Sequence, residues 1–210
     1  MQRHTCSRPI GIAVAEGVIN KDTQVFDYGC GRGADLRYLK GRGIKATGWD
    51  PHHKPKAKVA EADVVNLGYV LNVIEDPRER LQALRKAHAL ARQVLVLSVR
   101  VDKAPENFVE FGDGYLTGKD TFQKLYSQSE FREYAEKALG TRIHMASLGI
   151  AYVFKDEVVE AKYIANRAFT RRLEYRTDLI EEFGKNKFAK RFVRLADKLG
   201  RVPHPEEFED

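Results

Sequence analysis

The sequence predicts one α/β domain, a parallel sheet wound with helices on both faces, and three observations carry that expectation. Apolar β-type runs alternate with helical stretches between Thr23 and Val99, the pattern of strands joined by helical crossovers. The first strand ends in Gly29-Cys30-Gly31-Arg32-Gly33, a run of glycines that can only be a tight turn. The length, 210 residues and 23.9 kDa, holds one such domain with a small appendage but no second large one.

Taken in order, Ser7 and Pro9 open a short helix whose apolar face is Ile10, Ala13 and Val14 and which stops at Gly17. Thr23 to Tyr28 reads as the first strand, Ala34 to Leu39 as a helix broken by Gly41 and Gly43, and Lys45 to Trp49 as a second strand ending at Asp50-Pro51. Asp63 to Leu67 is a third apolar run, Pro77 to Ala91 a helix, and Val94 to Val99 a fully apolar strand. Beyond Arg100 comes a glycine-rich loop, Phe111-Gly112-Asp113-Gly114, placed where a lid would lie, and then a helix expected over Thr121 to Leu139. Arg142 to Ala146 and Ile150 to Phe154 read as an antiparallel pair. The domain is therefore expected over residues 1–154, with a basic helical extension over 155–210.

Composition narrows the function classes. With 43% hydrophobic and 31% charged residues the chain is of ordinary globular type. No run approaches the roughly 18 apolar residues of a membrane span, and the start lacks a signal-peptide core, so a cytoplasmic protein with no membrane partner is expected. Two cysteines are too few for a disulfide framework or a four-cysteine zinc site, and the six scattered histidines, His52-His53 included, read as surface residues, so no metal is expected. The net charge of +6 is uneven: Lys155 to Arg201 holds thirteen basic and eight acidic residues. In that stretch Phe188, Phe192, Leu195 and Leu199 form one apolar stripe, while Lys187, Lys190, Arg191, Arg194 and Lys198 cover the rest. Such cations suit a polyanion such as nucleic acid, although a solvated helical face has the same pattern.

The strongest chemical signal is Asp27-Tyr28-Gly29-Cys30-Gly31-Arg32-Gly33. Glycines at the carboxyl end of a first parallel strand let a ligand approach the backbone closely. The spacing is neither the dinucleotide fingerprint nor a phosphate loop, which disfavours NAD and ATP. Asp27 on the strand would repel a phosphate but suits an amino-acid ammonium, as in the methionine part of S-adenosyl-L-methionine. Gly48-Trp49-Asp50 follows about twenty residues after the glycine turn, where an acid accepts ribose hydroxyls; Asp50 before Pro51 could also merely shape a turn. Trp49 either edges the adenine or packs on a helix.

These motifs, with Ala62 to Pro77, resemble class I S-adenosylmethionine-dependent methyltransferases over about residues 20 to 154. More narrowly, Phe26 to Gly33, Asn66 to Asp76, and Gly114 to Thr117 leading into Thr121-Phe122-Gln123-Lys124 resemble the methyltransferase family associated with bacterial DNA phosphorothioation. The resemblance implies a Rossmann-like, seven-stranded fold, S-adenosyl-L-methionine as cofactor, Asp27, Gly29 and Gly31 around its methionine end, and Asp50 on its ribose. Asn66 to Asn72 would line the cofactor cleft. Only about a dozen residues separate Asp50 from Asp63, so the family's third strand is shortened or absent, and Asn72-Val73 replaces the Glu-His of many relatives.

The acceptor is less marked. Asn66-Leu67-Gly68-Tyr69 stands where base-amino methyltransferases carry their Asn/Asp-Pro-Pro-Tyr/Phe signature, so Asn66 could accept a base amino proton and Tyr69 stack on the ring. Alternatively Asn66 caps a helix and Tyr69 packs against it. Gln123 and Lys124 could contact substrate, and Lys190, Arg191 and Arg194 could meet phosphates. The expectation is a nucleic-acid methyltransferase, DNA favoured over RNA, working with partner proteins of a DNA modification system. The alternatives are a catalytically silent DNA-binding or assembly module and a small-molecule methyltransferase.

Overall fold

The computed structural model describes residues 6–167, together with Arg191 and Leu195. At its centre lies a sheet built from β1 (Gln24–Tyr28), β2 (Lys45–Trp49), β3 (Ala62–Gly68), β4 (Ala91–Ser98), β8 (His144–Ser147) and β9 (Ile150–Phe154), in the order β2-β1-β3-β4-β9-β8. The first four run parallel, β1 flanked by β2 and β3, while β9 pairs antiparallel with β4 and β8 with β9. A smaller antiparallel sheet, β5 (Val109–Phe111), β6 (Gly114–Leu116) and β7 (Phe122–Gln123), is inserted between β4 and the helix that follows.

Both faces of the main sheet are apolar, as a parallel sheet covered on two sides requires. On one face Phe26, Val65, Leu67, Leu95 and Leu97 join Leu84 and Ala87 of α3 (Pro77–Leu90) and Phe131 of α4 (Gln128–Leu139) in the main core. Residues of the other parity, Val25, Val64, Val94 and Val96, are also fully buried and face α1 (Arg8–Ala15) and α2 (Ala34–Gly41). Tyr152 of β9 reaches this second layer, donating its hydroxyl to Glu16 Oε2 at 2.8 Å. Helix starts follow local rules: Asp76 accepts from the Arg78 amide ahead of Pro77, and Ser127 and Glu130 form a reciprocal capping box.

Three expectations are corrected. The main sheet has six strands among the described residues, not seven. Between Asp50 and Ala62 the chain makes turns and one isolated bridge, Lys54 N–H to Asp50 O at 3.0 Å, because so few residues cannot supply a parallel crossover and a further strand. The helix expected from Thr121 begins only at Gln128. Before it, Phe122, Lys124 and Tyr126 are buried while Gln123 and Leu125 are half-exposed, the period of extended chain, and backbone bonds from Lys124 to Asn72 and from Tyr126 to Arg100 fix it there. The glycine-rich loop is the β5–β6 turn, and it is pinned: Asp113 accepts from the buried Arg80 guanidinium at 2.6 Å, and Arg80 also donates to the carbonyls of Ile74 and Glu75.

The chain divides into two compact units, Met1–Ala161 and Lys162–Asp210. Of the expected basic face, Arg191 is helical and exposed; Lys187, Phe188, Lys190, Phe192, Arg194, Lys198 and Leu199 lie outside the described residues. Among the described residues no helix is long and apolar enough to cross a membrane.

Candidate cofactor and acceptor site

The glycine turn hangs from the end of the neighbouring strand: the amides of Gly29 and Cys30 both donate to the Trp49 carbonyl, at 2.8 and 3.0 Å. Gly29 has φ 87°, and a Cβ there would lie 2.4 Å from Val70 Cγ2, so the turn closes only without a side chain. Gly31 has φ 49° with no atom within 4 Å of the position a Cβ would take. One glycine thus permits close packing, and the other keeps a space open above the turn.

Asp50, at the end of β2, braces this turn. Its Oδ2 accepts from the Gly31 amide at 3.0 Å, and its Oδ1 from the His52 and His53 amides at 2.9 and 2.8 Å. Partial burial works to raise the Asp50 carboxyl, but donation from His53, His52 and Gly31 outweighs it and holds the group below the usual carboxylate value. Asp50 thus shapes the turn as an anion, and of about four lone-pair positions on its carboxylate three are taken by backbone amides. Trp49 is half-buried and packs on Tyr28 with ring centroids 5.2 Å apart.

Asp27 and Asn66 are register partners on adjacent parallel strands and project to the same face. Both are almost fully buried, and Asn66 Nδ2 donates to Asp27 Oδ1 at 2.8 Å, while Asn66 Oδ1 is buried without a partner. Burial pushes the Asp27 carboxyl up to about 7, the Asn66 bond opposing it. Burial likewise pushes the Cys30 thiol up to about 11, which leaves no thiolate nucleophile in the turn. Asn66 sits within β3 rather than at a helix start, so it caps nothing.

Past β3 the chain turns sharply. Tyr69 takes a left-handed φ of 59° and donates its amide to Ser98 O at 3.0 Å, and Val70 then lies over Gly29. Tyr69 borders a cleft of about 530 Å³ whose walls include Arg8, Val99, Arg100, Asp102 and Leu148. Arg8 donates to Ser147 Oγ, and Arg100 pairs with Asp102 at 2.8 Å. Asn72 is wholly internal, its amide bonded to the Lys124 carbonyl and its oxygen accepting from the Arg100 amide at 3.0 Å, so it ties the β3 turn to the strap ahead of α4.

The sequence matches the model of a family described as a methyltransferase domain over residues 3–139, nearly two thirds of the chain and the whole of the glycine turn, Asp50 and β3 turn. This chain belongs to that methyltransferase family. It is an S-adenosylmethionine-dependent methyltransferase, with S-adenosyl-L-methionine as its cofactor. Among curated proteins none matches its sequence. Similar solved structures include a 1,6-didemethyltoxoflavin-N1-methyltransferase from Burkholderia thailandensis with bound S-adenosylhomocysteine, 16% identical, covering 70% of this chain and 74% of that one at a TM-score of 0.47. Others are an amino pentose methyltransferase from Micromonospora echinaspora, 14% identical over 70% and 90% of the two chains with a TM-score of 0.48, and the magnesium protoporphyrin IX methyltransferase of Synechocystis, 19% identical over 70% and 76% with a TM-score of 0.43.

The residues around the turn are of a chemistry that could hold such a cofactor. The open space over Gly31 would serve as the cofactor's cradle, Asp50 is an anionic acceptor bonded to the Gly31 amide, and Asp27 with the unpartnered Asn66 oxygen supplies buried acceptors close to the turn. Gln123 is half-exposed in β7 with its Oε1 buried and without a partner. Lys124 is buried, its ammonium held by Glu130 at 2.9 Å, the Asp113 carbonyl at 3.1 Å and the Asp113 carboxylate at 3.4 Å, so its charge is neutralised inside the protein. Sequence reasoning missed Arg8 and Arg100, which carry no motif; only the register of Tyr69 with the ends of β3 and β4 brings them to the site. Among the described residues no group of three or more His, Cys, Asp or Glu is arranged to hold a metal.

Proposed function

We propose that this methyltransferase transfers the cofactor's methyl group to nucleic acid, DNA rather than RNA, in the cytoplasm, as part of a DNA modification system of the phosphorothioation-linked kind. The observation that carries the acceptor reading is the cleft beside Tyr69, which adjoins the glycine turn through Val70 and has two arginines in its walls. In this reading Asp27 meets the cofactor's ammonium, Gly29 and Gly31 allow close approach, Asp50 takes a ribose hydroxyl and Trp49 borders the adenine. S-adenosyl-L-methionine supplies an electrophilic methyl on a sulfonium, so the protein's task is alignment of an already nucleophilic acceptor atom rather than strong acid–base work. Tyr69 stacks on the acceptor ring, Gln123 contacts it, and Lys190, Arg191 and Arg194 of the basic extension hold phosphates. The volume of the cleft suits one flipped base or a small molecule.

A silent, DNA-binding module is the second reading, and the full internal use of Asn72, where relatives carry a titratable pair, favours it. Mass spectrometry of DNA, RNA and protein after incubation with methyl-labelled cofactor separates them. Label in DNA supports the proposal, label in a small molecule or protein moves the acceptor, and no label in any fraction supports the silent module.

A further inference from the structure

The pairing of Asp27 with Asn66 is not used in the acceptor reading: the Asn66 amide donates to Asp27, and Asn66 is not among the residues that line the cleft beside Tyr69. Their neighbours along β3, Val64, Val65 and Leu67, are fully buried and apolar. An amide at that position, half of it unpartnered, packs less favourably than a leucine or valine of similar bulk. What it does supply is one N–H aimed at Asp27 Oδ1, delivered across the strand boundary by the β1–β3 register.

The geometry points to Asn66 as a positioning residue for Asp27: its amide turns the buried carboxyl and favours the anion over the neutral acid, so that the amino-acid ammonium of the cofactor finds a counter-ion there. The inference rests on the cofactor reading of the glycine turn, and it moves Asn66 from the acceptor side of the site to the cofactor side. The other titratable and charged groups around Asp27 pull in both directions. Cys30 of the turn is neutral, Asp35 of α2 and Asp50 beyond β2 disfavour a further negative charge, and Lys54 favours it. Burial sets the balance near neutrality, so a single charge-stabilising hydrogen bond decides whether Asp27 is an anion at working pH.

The test is calorimetric binding of S-adenosylhomocysteine between about pH 5.5 and 8.5, for the wild type, Asn66→Leu, Asn66→Thr and Asp27→Asn. The ligand's own amine titrates identically in all four, so the differences between proteins report Asp27. Wild-type affinity is expected to fall as pH drops through about 7. Asn66→Leu should shift that fall upward by about one pH unit, about fivefold in affinity at pH 7 and approaching tenfold at the acid end, and converge with wild type at the alkaline end. Asn66→Thr, which keeps a short donor, should lie between, and Asp27→Asn should bind weakly and without this pH dependence. A pH-independent loss in Asn66→Leu, or a loss of turnover with unchanged affinity, overturns the proposal and leaves the cofactor site standing. If Asn66→Leu does not fold, a wild-type affinity that is flat across the range and equal to that of Asp27→Asn overturns it as well. No wild-type binding at any pH overturns the cofactor reading and the proposal together.

Discussion

Two glycines in one turn should fail in different ways. At Gly29 an added methyl would lie 2.4 Å from Val70 Cγ2, well inside contact distance, and the backbone sits at φ 87°. A left-handed conformation costs an ordinary residue about 1–2 kcal/mol, and overpacking at a tight contact adds about 1–3 kcal/mol, so Gly29→Ala should destabilise the fold by about 2–5 kcal/mol. At Gly31, with φ 49° and no atom within 4 Å, only the conformational penalty of about 1–2 kcal/mol applies. Its methyl would instead stand in the cofactor's space. Urea unfolding and calorimetric titration with S-adenosylhomocysteine, run on both variants, separate the effects: Gly29→Ala should show the larger loss of stability, and Gly31→Ala the larger loss of affinity relative to its stability. Wild-type affinity in Gly31→Ala would refute the cradle, and wild-type stability in Gly29→Ala would refute the Val70 closure.

Asp50→Ala removes the acceptor of three amides, Gly31, His52 and His53, and should cost about 1–3 kcal/mol in unfolding free energy as well as weakening cofactor binding; calorimetry alone changing, with stability untouched, would argue against the bracing role. Asp27 has a folded-state value raised from 3.8 to about 7, so its contribution is present at low pH and is lost as pH rises through that window; stability of the apoprotein should carry a downward component of about 1.4 kcal/mol per pH unit there, absent in Asp27→Asn. Reversing Lys190, Arg191 and Arg194 to Glu should weaken binding to all DNA sequences alike and flatten its salt dependence by about one unit of slope per lost phosphate contact, whereas superimposable curves would make the basic face a solvated one.

Much of the sheet was legible because its strands are continuous apolar runs punctuated by glycine, and a buried parallel strand has no other pattern to show. The glycine turn and Asp50 were legible for the same local reason. What escaped depended on neighbours far along the chain. Phe122 to Tyr126 has apolar residues that suit a helix face as well as a strand, and only the backbone bonds to Asn72 and Arg100 decide for extended chain; the Ser127-x-x-Glu130 capping box was the overlooked signal. Lys124 looked like a free cation until the β5–β6 turn brought Asp113 beside it. Spacing alone gives Asn66 no register, and register is what sets its amide on Asp27.

A crystal structure with S-adenosylhomocysteine tests the central claim most directly. The account predicts density over Gly31, the ammonium within reach of Asp27 and a ribose hydroxyl on Asp50. Ligand density elsewhere, such as in the lysine-lined groove of Lys40, Lys54 and Lys58 beside β2, with the glycine turn empty, would contradict it.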